Sequence, residues 1–518
     1  MPLTFDNRLI RELPGDPLHS PRSRQVRQAI WSPAPATPVS APQLLAWSPE
    51  MAATLGITPE ELHSEPFVQA LAGNTLLPGM VPYATRYGGH QFGHWAGQLG
   101  DGRAIYLGEV RNPTGQRFEL QLKGAGPTPY SRNADGRAVL RSSLREFLCS
   151  EAMFHLGVPT TRALTLIGTG DEVIRDILYQ GDPAPEPGAI VCRVAPSFLR
   201  FGHFEILAAS GETELLAQLV DFAIARDYPE LEGDTPAKRQ RWFTEICRRT
   251  ALMVAHWMRV GFVHGVMNTD NMSTLGLTID YGPYGWVDNF DPGWTPNTTD
   301  RQHRRYRFGQ QPQIAYWNLS CLASALGELF TDPEPLEEGM ELYPQAFAET
   351  HQGFTVAKFG FSQWGPAEEE LVTRAYTLMQ RSEVDMTLFF RQLAHLDREE
   401  PSLEHLHPAF YNEENYQRDQ ASWQRWVTEY VAVLPSDPVT LGQHRTQMNA
   451  VNPVYVLRNY LAQEAIDLAE QGDLSRIEQL QQALRHPYQE RTGLDAFMAK
   501  RPDWARNRPG CSMLSCSS

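Results

Sequence analysis

Long apolar runs are missing from this sequence. No stretch of about 18 consecutive apolar residues occurs, so no membrane-spanning helix and no membrane partner are expected. The opening residues, MPLTFDNRLIRELPGD, lack the basic-then-apolar order of a secretory signal. Cysteine is scarce. Six are scattered over 518 residues, at Cys149, Cys192, Cys247, Cys321, Cys511 and Cys516. That usage argues against a disulfide scaffold and fits a cytoplasmic setting. Positive charge is also short: 45 Lys and Arg stand against 61 Asp and Glu, a formal net charge of -16. Nonspecific nucleic-acid binding rests on a cationic surface, so no nucleic-acid partner is expected. Internal repeats and long low-complexity segments are absent too. What is present, 42% hydrophobic and 20% charged residues, is an ordinary globular composition, long enough for more than one lobe.

Residues 1–80 are Pro-rich and irregular, with short helical pieces such as 40–55. From Ala104 a hairpin is legible: AIYLGEVR (104–111) and QRFELQLK (116–123) alternate as strands across the turn Asn112 to Gly115. A helix is expected over 137–156, closed by Gly157, with Glu146 set among its apolar stripes. A Glu in an apolar face requires a partner. Strands follow near 163–167 and 189–194. Helical patterns dominate after Leu215, most clearly over 236–259, with Trp242, Ile246, Met253 and Trp257 inward and Gly261 as the stop. Later helices are expected at 315–330, 368–380 and 454–462. The reading is α+β: a strand-rich small lobe over 81–205, a helical large lobe over 206–500, an N-terminal extension before them and a flexible tail over 501–518.

The chemistry concentrates in HGVMNTDN, His264 to Asn271, followed nine residues later by Asp280 in TIDYG. A protein kinase has H-R-D-x-x-x-x-N and then D-F-G in this order. His264 falls on the His, Asn271 on the metal-binding Asn, and Asp280-Tyr281-Gly282 on D-F-G. The template's catalytic Asp falls on Val266, while an acid has appeared beside the Asn as Asp270. The metal ligands are in place and the usual base is missing, which points away from ordinary phosphorylation. Mg²⁺ is typically held by one or two oxygen side chains together with substrate phosphates, and Asn271 and Asp280 suit that. Upstream, Gly100-Asp101-Gly102-Arg103 reads either as a hairpin turn or as a phosphate loop. Lys123 ends the next strand, and Glu146 on the following helix is a partner of the right type to hold it on phosphate oxygens. Arg193 and Arg200 offer forks of donors for phosphate, although two such arginines are ordinarily surface residues. His264 reads as a loop organiser. His90 and His94 have helical metal-site spacing, but YGGHQFGHWAGQ is too Gly-rich for a helix, and a zinc pair is rejected. Arg301, Arg304, Arg305 and Arg307 read first as a solvated basic loop.

Together these phrases resemble the selenoprotein O family, over most of the chain and most strongly from Tyr83 to Asp332. The longest are YGGHQFGHWAGQLGDGRA, LQLKGAGPTPYSR, DGRAVLRSSLREFL, SFLRFGHFE and HGVMNTDNMSTLGLTIDYGPYG. The resemblance implies a protein-kinase-like bilobal fold that transfers AMP from ATP to Ser, Thr or Tyr hydroxyls of proteins. It implies a nucleotide bound reversed relative to kinases, with the α-phosphate toward the acceptor. It assigns Gly100, Gly102, Arg103, Lys123, Asp135, Gly136, Arg193 and Arg200 to ATP and Glu146 to the lysine. Asp270 becomes the proton acceptor. Asn271 and Asp280 become ligands of Mg²⁺ or Mn²⁺, with Asp280 also facing the nucleotide. The tail CSMLSCSS resembles the family's C-terminal redox motif, with Cys516 at the key position. The segment DPGWTPNTTD lacks the cysteine that some relatives pair with the tail. A Cys511–Cys516 bond and mixed disulfides with other proteins remain.

Two rival readings stand beside this one. One is a protein uridylyltransferase using UTP with Mn²⁺. The other is a catalytically silent pseudokinase acting as a binding module, against which Lys123, Glu146, Asn271 and Asp280 count, because an idle site has no need of a costly buried polar set.

Overall fold

In the computed structural model, residues 3–515 are described, apart from 178–179, 397–398, 400 and 436. The first half is organised by one antiparallel sheet. Its strand order is Trp31–Pro33, Tyr83–Thr85, Ala104–Arg111, Arg117–Lys123, Ala184–Ala195, Arg162–Arg175, Gln43–Trp47, with Thr4–Phe5 also paired to Ala104–Arg111. The expected hairpin is there, with Ala104 opposite Lys123 and Val110 opposite Phe118. Its turn is held by Asn112, whose side-chain oxygen accepts from the backbone N–H groups of Thr114 and Gln116.

Strand Ala104–Arg111 is buried along all but its last residue, rather than alternating. The cause is that both faces of the sheet are covered. On one face Ile105, Leu107, Leu120 and Leu122 pack with N-terminal residues including Val26, Met51 and Leu55. On the other lies the helix Leu140–His155, whose Leu144, Phe147 and Leu148 are fully buried. Strands Thr4–Phe5, Trp31–Pro33 and Gln43–Trp47 and buried residues such as Val26, Met51 and Leu55 therefore tie the N-terminal extension to this sheet and its core. The helix expected over 40–55 is corrected in the same way. Gln43–Trp47 is an edge strand, Leu44 opposite Ile167, and only Pro49–Leu55 is helical, capped by the Ser48 hydroxyl.

The second half is mainly helical. Thr235–Val260 is the longest helix of the expected set, with Trp242, Ile246, Met253 and Trp257 all buried and Gly261 ending it at φ 75°. It packs along Glu334–Phe359 and delivers the chain into the short strand Phe262–Val263, which pairs with Gly285–Trp286. The helices Gln311–Leu326 and Pro366–Arg381 stand near their expected places. The one expected at 454–462 starts later, at Asn459, because Val454–Leu457 run as buried non-helical chain in the core. Residues 501–515, expected to be a flexible tail, are docked. Leu514 is buried and pairs through its backbone with Pro296 and Thr298, and Ser515 bonds to the Ile177 carbonyl. Cys511 is a buried free thiol; Cys516 lies outside the described residues. No helix among the described residues is long and apolar enough to cross a membrane.

Candidate active site

Between the sheet and the helical half lies a cleft of about 700 Å³. Its lining brings together Gly100, Gly102, Arg103, Lys123, Asp135, Gly136, Arg193, Asp270, Asn271 and Asp280, residues separated by up to 180 positions. Arg200 stands behind the wall. Glu146 lies beneath Lys123.

The sheet side is built from the turn before Ala104. Gly100 has φ 78°, and a Cβ there would sit 2.4 Å from the Tyr130 ring, so only glycine fits. Asp101 inside this turn also lines the cleft, and its buried carboxylate accepts from the Thr85 backbone at 2.8 Å. The turn is thus both a hairpin corner and a glycine-lined wall. Lys123, at the end of its strand, reaches Glu146 Oε2 at 2.5 Å, and Glu146 Oε1 also meets Arg193 at 3.2 Å. The Glu buried in the helix has two cationic partners. Burial pulls the Lys123 ammonium down from its usual range, and the Glu146 carboxylate opposes that pull. Asp135 sits at the outer rim, paired with Arg175 at 2.8 Å.

The helical side is the loop after Val263. His264 is buried, with Nε2 on the Ile279 carbonyl at 2.9 Å and Nδ1 accepting from the Val266 N–H at 3.4 Å. It ties the loop to the segment carrying Asp280 and does not line the cleft. Asn271 gives its amide N–H to the Val266 carbonyl at 2.9 Å, which leaves its carbonyl oxygen as the open end. Asp280 has φ 56° and holds Arg193 on one oxygen and Arg200 on the other. These two guanidiniums, with Lys123, keep its carboxylate far below the usual range despite burial. Asp270 is different. Its Oδ2 has only Gln91, at 3.3 Å, and its Oδ1 is buried without a hydrogen-bond partner. Burial pushes this carboxyl up to about 7, against the opposing pull of Arg200. Val266 lines the same cleft and brings no acid to it.

An oxygen-only donor set, Asn271 carbonyl and Asp280 carboxylate, fits a hard dication such as Mg²⁺ or Mn²⁺. The orphaned Asp270 oxygen marks the place where the protein alone leaves a buried acceptor unsatisfied. Several supporting residues were not singled out from the sequence. Gln91 touches Asp270. Tyr87 lies under the Arg200 guanidinium at 4.8 Å. Thr269 accepts from the His90 N–H at 2.7 Å, clamping a Gly-rich hairpin, Gly88–Gln91 with His94–Gln98, over the loop. The signal for these was the glycine density itself. A Cβ on Gly89 would lie 2.7 Å from Asp270 Oδ1. His94 lies on the second strand of that hairpin, opposite Gln91. Of the basic loop, Arg301 and Arg304 are exposed, and Arg305 stacks on Trp317 at 4.6 Å rather than facing the cleft.

A sequence model of the family described as Protein adenylyltransferase SelO matches residues 17–485. The chain belongs to the SelO family. It is similar to the protein nucleotidyltransferase YdiU of Aromatoleum aromaticum, 60% identical over all of this chain and 99% of that one. The same protein from Xanthomonas axonopodis pv. citri is 60% identical, covering 100% of this chain and 99% of its own, and that from Azoarcus sp. is 59% identical over the whole of both. With family and full-length relatives agreeing, this SelO-family chain is an enzyme of the nucleotidyltransferase class.

Proposed function

We propose that this enzyme transfers AMP from ATP to Ser, Thr or Tyr hydroxyls of other proteins, with Asp270 as the proton acceptor and Asn271 and Asp280 holding Mg²⁺ or Mn²⁺. The two halves are taken to be arranged as the lobes of a protein kinase. The sheet supplies Gly100, Gly102, Arg103, Lys123 and Glu146, and the helical half supplies the His264–Asn271 loop and Asp280. The observation that carries the reading is the exchange of acids in the cleft. Val266 stands where a kinase has its base, and a buried carboxyl with an unpartnered oxygen stands four residues on, beside the metal-binding Asn.

In this reading Lys123 positions phosphate oxygens and is itself positioned by Glu146. Arg193 and Arg200 add donors with fixed forks. Lys123 and Arg193 stand on strands of the sheet, while Asp270 comes from the helical side. This arrangement favours a nucleotide whose outer phosphates point under the sheet and whose α-phosphate faces Asp270. A protein hydroxyl entering there loses its proton to Asp270, whose raised affinity for a proton suits a general base near neutral pH. The metal, when bound, would screen charge on the phosphates. The hydroxyl oxygen bonds to the α-phosphorus, and pyrophosphate leaves.

Intact-mass analysis of the purified enzyme and a protein acceptor, with ATP or UTP and Mg²⁺ or Mn²⁺, tests this. Added AMP is the expected product. UMP in preference to AMP would move the assignment to uridylyl transfer. Added phosphate would overturn it.

A further inference from the structure

Outside the lining of the cleft, three side chains of metal-ligating type converge. His90 comes from the strand Gly88–Gln91, Glu205 from the helix Phe201–Ala209 and Cys321 from the helix Gln311–Leu326. One ligand atom from each lies within 4.8 Å of the other two. We propose that His90, Glu205 and Cys321 form a second metal site, separate from Asn271 and Asp280, that takes Zn²⁺ or a similar thiolate-binding divalent cation.

The donor chemistry differs in kind from that of the cleft. The cleft offers oxygen alone, which suits Mg²⁺ or Mn²⁺, whereas nitrogen, sulfur and carboxylate together suit zinc. In a tetrahedral zinc centre with bonds of about 2.0–2.3 Å, ligand atoms stand roughly 3.3–3.8 Å apart. His90 Nδ1 and Glu205 Oε1 are now 2.7 Å apart in a direct hydrogen bond and would spread by less than an ångström by that estimate. The remaining separations, at most 4.8 Å, would close by no more than about 1.5 Å. Three protein ligands leave the fourth position to water, and the His90 side chain, 28% exposed, gives an entry path.

The independent sign is Glu205. Its side chain is only 3% exposed, and Oε2 has no hydrogen-bond partner. A buried carboxylate oxygen left bare is costly unless something cationic meets it. His90 alone satisfies only the other oxygen. Arg305 acts electrostatically on the Cys321 thiol, but it stacks on Trp317 and makes no ion pair with Glu205 among the described residues. Binding would release the thiol proton. The thiolate and the Glu205 carboxylate would then balance the dication.

The placement gives the site a role. The His90 N–H holds Thr269, and Gln91 holds Asp270. The helix bearing Glu205 begins directly after Arg200, which bonds both the Asp270 carbonyl and Asp280. A cation joining this hairpin to two helices would brace the loop that presents Asp270.

The test is a Co²⁺ titration of the full chain without nucleotide, followed by competition with Zn²⁺. A thiolate-to-cobalt charge-transfer band that saturates near one equivalent and is erased by Zn²⁺ is expected. The band should vanish in Cys321→Ser. Glu205→Gln, which keeps the thiol, should weaken binding by at least roughly tenfold, since loss of even an outer-shell partner typically costs 10–100-fold. Alkylation mapping of the unmodified protein gives a second readout that needs no variant: Zn²⁺ should protect Cys321 selectively. Cobalt bound without a thiolate band places the cation elsewhere and overturns the site. A full-strength band in Cys321→Ser, unchanged affinity in Glu205→Gln, or Cys321 alkylated equally with and without Zn²⁺ would do the same.

Discussion

Holding the Asp270 carboxyl in a dry place with one bare oxygen costs stability, and the cost has a pH signature. Its folded-state value is raised from 3.8 to about 7, so between those limits the folded protein holds a proton that the unfolded chain has released. Stability therefore falls as pH rises through that window, and the penalty is complete above about 7. Its size is on the order of a few kcal/mol. Asn cannot ionise. Asp270→Asn should therefore raise the Tm of the metal-free protein at pH 8 and change it much less at pH 5, while nucleotide transfer falls by roughly 10²–10⁴-fold, the usual contribution of a general base. Thermal unfolding at the two pH values, with transfer assayed alongside, checks both parts. A stability difference between Asp270→Asn and the wild type that is the same at both pH values would show that the Asp270 environment is not as described.

At the scale of elements, the close seating of the hairpin Gly88–Gln98 on the Thr269–Asn271 turn sets where Asp270 points. Adding one methyl at Gly89 would force it to within 2.7 Å of Asp270 Oδ1. Gly89→Ala should keep a native-like circular dichroism spectrum yet lose transfer by about tenfold or more, since a displacement of 1 Å at reacting groups can cost 10²-fold. Wild-type activity in that variant would remove the hairpin from the account. Much of this architecture was legible in the sequence where its signal is local. The turn at Asn112–Gly115, the apolar stripe ending at Gly261 and the lone Glu146 in an apolar face each carry their own evidence. The rest depended on distant partners. Gln43–Trp47 is a strand because Arg162–Arg175 pairs with it, Val454–Leu457 are core chain without helix, and Leu514 is docked by Pro296 and Thr298. No local pattern encodes those. In the candidate site, residue types and order were readable. The two-handed grip of Arg193 and Arg200 on Asp280 was not, because it joins segments 80 or more residues apart.

For the whole molecule, that grip is a strut between its halves. Arg193 rises from the sheet and Arg200 from the helix start after it, while Asp280 belongs to the helical half. Both Asp280 oxygens are taken by guanidiniums, so a dication proposed to bind there would compete with two charges already in place. Phosphates would draw the arginines away and free the carboxylate. Mn²⁺ should accordingly bind weakly alone and at least about tenfold more tightly with a non-hydrolysable ATP analogue, the size of an ordinary coupling between two sites. Calorimetry or the paramagnetic resonance of Mn²⁺ would measure it, and equal affinity with and without nucleotide would contradict the strut.

The central claim is that the acid in this cleft serves attack at the α-phosphate and not at the γ-phosphate. It is tested most directly by incubating the wild-type enzyme, Asp270→Ala and Val266→Asp with α-labelled and γ-labelled ATP in parallel, with a protein acceptor and Mg²⁺ or Mn²⁺. α-Label on protein is expected from the wild type, its loss in Asp270→Ala, and no γ-label even when Val266→Asp restores a kinase-type acid, because geometry precedes base strength. Protein carrying γ-label, from either the wild type or Val266→Asp, would contradict it.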